Sequence, residues 1–193
     1  MSNTNTVFNI EDHLDFMPLE SSHFELLGGF SCGVHSIDAY FKNADEAFMD
    51  QELGLSSTTV FLVDGIPAGF VSARCKTLKV SEQEAESLGL EDDLNVSALE
   101  VTYLCVEERL QYKKDVRPGF GLGRIIMENI MAAAYEVQRV FGLRYIFVWS
   151  RSESIDFYKK LRFIPLDETR EGMRLMRFKI PTTLFSRNKF DDY

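Results

Sequence analysis

The stretch Arg117-Pro118-Gly119-Phe120-Gly121-Leu122-Gly123-Arg124 is the part of this sequence best suited to holding a charged ligand. Glycines let the backbone turn so that successive N–H groups face inward, and the N–H groups at the start of a following helix add positive potential. A phosphate or pyrophosphate is the ligand such a loop takes. Arg117 and Arg124 lie within it, with Arg109, Lys113 and Lys114 upstream, a local basic cluster in a chain of net charge -9. A P-loop would need Gly-Lys-Ser/Thr, whereas Gly123 is followed by Arg124-Ile125. The dinucleotide fingerprint needs a small residue where Arg124 stands. Taken alone, the loop is equally a glycine-rich helix start with no ligand.

Other reactive side chains are sparse. Cys105 could act as a nucleophile only with a partner base, and His13, His23 and His35 all fall near the start of the chain. A buried structural thiol is the better account of Cys105. Cys32, Cys75 and Cys105 form no close pair, which points to a reducing compartment and a cytoplasmic protein. No spacing of Cys and His predicts a metal site.

The elements that must position the loop follow from periodicity. Residues 1–20 are polar and form an arm or a first short strand. Ser36 is the expected N-cap of a helix whose apolar residues Ile37, Tyr40, Phe41, Ala44, Ala47 and Phe48 share one face. Thr59–Val63 and Ala68–Ala73 flank Asp64-Gly65, a hairpin signal. The acidic stretch from Ser81 to Glu100 predicts a solvated helix and loop, and Ala98–Val106 a strand. Leu122 to Phe141 is a long amphipathic helix ending at Gly142. A buried strand over Tyr145–Trp149, a short helix capped by Ser152 and running to Leu161, and a closing strand over Met173–Ile180 complete the order. Strands interleaved with helices predict an α/β or α+β fold around a sheet of mixed direction. The expected organisation is an arm at 1–20, one domain at 21–180 and a tail at 181–193.

A glycine loop opening a helix, preceded by a strand carrying Glu100 and followed by Phe157-Tyr158 and Phe163, resembles the GNAT family of acyl-CoA-dependent N-acetyltransferases. Gly121-Leu122-Gly123 matches the glycine end of the family's Gln/Arg-x-x-Gly-x-Gly/Ala motif, with Pro118 where Gln or Arg is usual. Phe157, Tyr158 and Phe163 match its Phe-Tyr-x-x-x-Gly-Phe helix, with Arg162 in place of Gly. The loop between Val106 and Pro118 is several residues longer than a compact member would use.

The resemblance implies a mostly antiparallel central sheet flanked by helices, acetyl-CoA as co-substrate and no metal. The backbone of Leu104, Cys105 and Val106 would pair with the pantetheine arm, and Arg117, Gly119, Phe120, Gly121, Leu122, Gly123 and Arg124 would hold the pyrophosphate. Tyr158 is the candidate acid for the departing thiolate and Glu100 the candidate base. Both also fit blander roles, as a packed helix tyrosine and a solvent-facing strand carboxylate. The acceptor would be a cationic or neutral amine. An acidic chain argues against nucleic acid, no apolar run is long enough to span a membrane, and a homodimer is allowed. Phe30-Ser31-Cys32-Gly33 followed by Ile37-Asp38-Ala39-Tyr40-Phe41 is similar to the start of the toxin-like branch that acts on aminoacyl-tRNA. Besides transfer to an amine, two readings stay open: that toxin-like activity, and a GNAT-fold protein that binds acyl-CoA without turnover.

Overall fold

In the computed structural model, which describes residues 10–90, 94–111 and 121–181, Asp64 (φ 50°) and Gly65 (φ 76°) both take left-handed backbone. That is the conformation of a tight hairpin turn, and it joins β2 (Ser57–Val63) to the long β3 (Ile66–Lys79). The remaining strands are β1 (Leu14–Pro18), β4 (Asn95–Val106), β5 (Tyr145–Ser150), β6 (Ile164–Arg170) and β7 (Met173–Lys179). The helices are α1 (Phe24–Leu27), α2 (His35–Lys42), α3 (Met49–Glu52), α4 (Glu82–Ser87), α5 (Leu122–Phe141) and α6 (Ile155–Lys160). Seven strands hydrogen-bond in the order β1-β2-β3-β4-β5-β7-β6. β4 and β5 are parallel, while β1 with β2, β2 with β3, β5 with β7 and β6 with β7 are antiparallel. A parallel pair needs a crossover, and α5 supplies it.

The chain divides into two compact units: Met1–Arg74 with Thr102–Glu128, and Cys75–Val101 with Asn129–Tyr193. In the first, Phe41 stacks on Phe70 at 4.5 Å and Phe30 meets Phe70 edge-on at 4.6 Å. Leu27, Val60, Leu62 and Cys105 complete that core. The helix expected from Ser36 begins instead at His35, with Val34 as its first acceptor and no side-chain cap. Its capping chemistry is spent upstream: Asp38 accepts from the Ser31 hydroxyl and the Cys32 N–H, both at 2.8 Å. The helical face also breaks at Asn43, which leaves the helical region and caps a π-helical turn over Ala44–Phe48.

In the second unit Leu78, Val80, Ala98, Tyr145, Phe147 and Leu175 form the core with Ala85 of α4. The acidic stretch is thus not merely solvated. Ser81 caps α4, and Glu84 turns inward to accept from the Tyr145 hydroxyl and from Arg177 at 2.8 Å. Sequence periodicity missed β6, because nearly all of its residues are exposed and show no alternation. Ser152 starts a 3-10 turn that runs into α6, with no side-chain cap.

After α6, Arg162 sits at φ 67°, the position where the family pattern has Gly. A side chain costs about 1–2 kcal/mol in that conformation. Arg162→Gly is therefore expected to raise the thermal midpoint by a few degrees. A lower midpoint in a melting experiment would mean that the guanidinium's contacts outweigh the backbone cost.

Candidate acyl-CoA site

The described part of the glycine loop begins at Gly121, whose carbonyl accepts from Arg124 N–H at 2.9 Å and so opens α5. Leu122 is buried and anchors the first turn. Among the described residues nothing lies within 4 Å of where a Gly121 side chain would start. Arg124 is held by Glu128 at 2.6 Å, one turn along, which offsets part of its charge. Arg117, Pro118, Gly119 and Phe120, with Lys113 and Lys114, lie outside the described residues.

Gly69 in β3 is a determinant that the motifs did not reveal. A Cβ there would fall 2.7 Å from Ile126 Cδ1 and 2.9 Å from the Cys105 carbonyl oxygen. Its absence lets α5 pack closely on the end of β4. Glycine inside a strand pattern is the signal that could have found it. Leu104, Cys105 and Val106 finish β4. β4 pairs with β5 only over Ala98–Val101, so along that edge Thr102–Val106 have no strand partner among the described residues. Such a backbone edge can bind an extended chain by β-type hydrogen bonds. Gln111 braces it by donating to the carbonyls of Val106 (2.7 Å) and Cys32 (2.9 Å). Burial pushes the Cys105 thiol well above its ordinary value, with Cys32 beside it adding to the shift. A thiol so buried stays neutral, which fits the structural role that the sequence favours for it.

The second unit holds the two proposed proton-transfer groups. Tyr158 on α6 is 6% exposed, packed edge-on against Phe157 at 5.0 Å and Phe163 at 5.5 Å. Burial pushes its phenol well above its ordinary value, and among the described residues nothing hydrogen-bonds its hydroxyl. Buried hydroxyls nearly always have a partner. Glu100 is also 6% exposed, so it is not the solvent-facing strand carboxylate that the sequence allowed. It aligns with Phe147, which aligns with Arg177. Tyr158 packs on Phe163, which packs on Phe178 of the opposite side of β7. Glu100 and Tyr158 therefore serve opposite faces of this unit's sheet. Among the described residues no cluster of His, Cys, Asp or Glu is arranged to hold a metal. No helix of the described residues is long and apolar enough to cross a membrane.

The arrangement is the GNAT fold. A structure of a tyrosine-to-phenylalanine mutant of KacT superposes with a TM-score of 0.71 at 14% identity, over 87% of this chain and 95% of that one. AtaT complexed with acetyl-methionyl-tRNAfMet gives 0.70 at 15% identity, over 86% and 94%. A mutant AtaT toxin bound to the C-terminus of the antitoxin AtaR and acetyl-CoA gives 0.67 at 15%, over 88% and 94%. No protein-family model matches the chain, and no curated protein matches it by sequence. At these identities the likeness carries the fold.

Proposed function

We propose that the chain is an acetyl-CoA-dependent N-acetyltransferase that moves the acetyl group to a primary amine. The observation that carries this reading is the Tyr158 phenol, buried on α6 and held protonated by its surroundings. A thiolate expelled from acetyl-CoA beside that hydroxyl would accept its proton. A low-dielectric surrounding weakens the phenol as an acid, but it disfavours the thiolate anion equally, so transfer between them stays feasible. The open edge at Leu104, Cys105 and Val106 supports pairing with the pantetheine arm, where one N–H would polarise the thioester carbonyl. The start of α5 at Gly121, with no described residue within 4 Å of its Cβ position, supports a pyrophosphate there, with Leu122, Gly123 and Arg124 in its first turn. Similar folds bind acetyl-CoA in AtaT.

In this mechanism the amine attacks the polarised carbonyl from the face of the sheet that carries Glu100 and loses a proton to that carboxylate through water, while Tyr158 acts from the other face, beyond Val101 where β4 and β5 no longer pair. The tetrahedral intermediate collapses, the C–S bond breaks, and the thiolate takes its proton from Tyr158. A neutral amine loses one proton in becoming the amide and the thiol gains one; an amine that arrives as its ammonium first releases one further proton to solvent. Glu100→Gln should slow turnover most at low pH, where nearly all of an amine with pKa near 10 is protonated, and less as pH rises. A variant matching the wild-type rate at pH 7 would remove Glu100 from the mechanism. The three free cysteines support a cytoplasmic setting.

AtaT is seen with acetyl-methionyl-tRNAfMet, which supports a second reading in which the amine belongs to an aminoacyl-tRNA. The net charge of -9 weighs against it, since tRNA binding draws on basic surface. Labelled acetyl-CoA incubated with protein and pools of small amines, peptides and charged tRNA, then analysed by mass spectrometry, separates the readings. Label on small amines or peptides is expected. Label on tRNA would install the second reading, and bound acetyl-CoA with no transfer would make the protein a non-catalytic binder.

A further inference from the structure

Polar side chains converge in the first unit on the sheet face covered by α2 and α3. Thr58 and Ser72 are cross-strand partners on β2 and β3, and both are fully buried. Among the described residues the Thr58 hydroxyl has no hydrogen-bond partner, and those of Ser56 and Ser72 have only the Tyr40 hydroxyl near them, outside good bonding geometry. Leaving such groups unpaired costs about 1–3 kcal/mol each. Above them lies the Tyr40 hydroxyl, beside those of Ser56 and Ser72, donating to the Asp50 carboxylate at 2.9 Å. Asp50, Ser56 and Tyr103 are only half-buried, so the cluster has a buried floor and an open rim. Tyr103 walls one side, its ring 4.4 Å from that of Tyr40.

The set is unbalanced in charge. Asp50 has no Lys, Arg or His in ion-pair contact among the described residues, and every other member is a neutral hydroxyl. What such a set lacks is a cation with several N–H donors. A primary ammonium has three donors and no acceptor, so it can bond the Asp50 carboxylate and two hydroxyl oxygens at once. The cluster also lies where an acceptor would be useful. The Thr102 hydroxyl donates to the Ser72 carbonyl at 3.0 Å, tying the floor to β4 just ahead of Leu104, Cys105 and Val106.

We propose that Asp50, Tyr40, Ser56, Thr58 and Ser72 form the recognition site for the protonated primary amine of the acceptor. This assignment rests on the acetyltransferase reading, and it gives that reading a substrate class: a small cationic amine carried on a slim group, not a quaternary or anionic one.

Ligand-observed NMR on the full chain, using n-butylammonium chloride and tetramethylammonium chloride at equal ionic strength, tests it without turnover. The primary ammonium should show binding and the tetramethylammonium, which has no N–H, should not. Asp50→Asn should weaken the primary ammonium by about tenfold or more, as should Thr58→Val, which keeps the side-chain shape. A melting curve for each variant confirms that it is folded. Equal signals from the two salts, no signal in the wild type, or undiminished binding in folded Asp50→Asn would overturn the assignment. The last outcome would leave the hydroxyls to ordered water. Acetyl-CoA binding, measured on the same samples, separates failure of this site from failure of the transferase reading.

Discussion

Tyr158→Phe is expected to lower turnover by roughly 10²-fold while acetyl-CoA binds as before. The phenyl ring keeps the edge-on packing on Phe157 and Phe163, so the loss isolates the hydroxyl. The same variant has a signature in stability. Burial raises the folded-state pKa of Tyr158, whereas the unfolded phenol titrates near pH 10. Below that pH the group is protonated in both states and adds no pH dependence. Above it the unfolded chain releases a proton that the folded chain keeps, so stability falls as pH rises, by up to about 1.4 kcal/mol per unit for this one proton. Tyr158→Phe should remove that share of the alkaline slope. Denaturant titrations at pH 9 and 11 measure it, and steady-state kinetics measure the turnover. Unchanged turnover would return Tyr158 to the role of a packed tyrosine.

Gly121→Asp should weaken acetyl-CoA binding by at least 10²-fold in a protein that stays folded. Two opposite effects of one carboxylate make this separation possible. Gly121 opens α5, accepting from Arg124 N–H, and aspartate is a favoured residue at a helix start. The backbone there is not left-handed and no described residue lies within 4 Å of the new Cβ, so the substitution should hold or raise the melting midpoint. A phosphate approaching the same N–H groups would meet a like charge. At about 4 Å that repulsion is worth about 4 kcal/mol at an effective dielectric of about 20. Calorimetric titration of the variant with acetyl-CoA reads the effect. An unchanged affinity would mean that the pyrophosphate binds elsewhere.

Local chemistry was legible in the sequence, and tertiary chemistry was not. Asp64-Gly65 forced its hairpin because two left-handed residues in succession admit little else, and Gly142 (φ 71°) marked the end of α5 for the same reason. β6 stayed hidden because an exposed edge strand needs no apolar alternation. Ser36 looked like a cap, yet Asp38 had already been drawn into holding Ser31 and Cys32, a contact that no periodicity encodes. Glu84 belonged to a run of acidic residues and gave no sign that Tyr145 and Arg177, far along the chain, would hold it. The site divides in the same way. Gly121, Leu122, Gly123 and Tyr158 lie in short motifs. Gly69 and the hydroxyls of Ser56, Thr58 and Ser72 matter only through what β2, β3 and β4 bring beside them.

Thermal unfolding with and without acetyl-CoA decides whether this chain binds the coenzyme. Binding to the folded state alone stabilises by about 2.7 kcal/mol at a hundredfold excess over Kd, which for a chain of this size is a rise of roughly 5–10 °C. NADH and ATP at equal concentration should give markedly less. No shift with millimolar acetyl-CoA or CoA would mean that the chain does not bind the coenzyme.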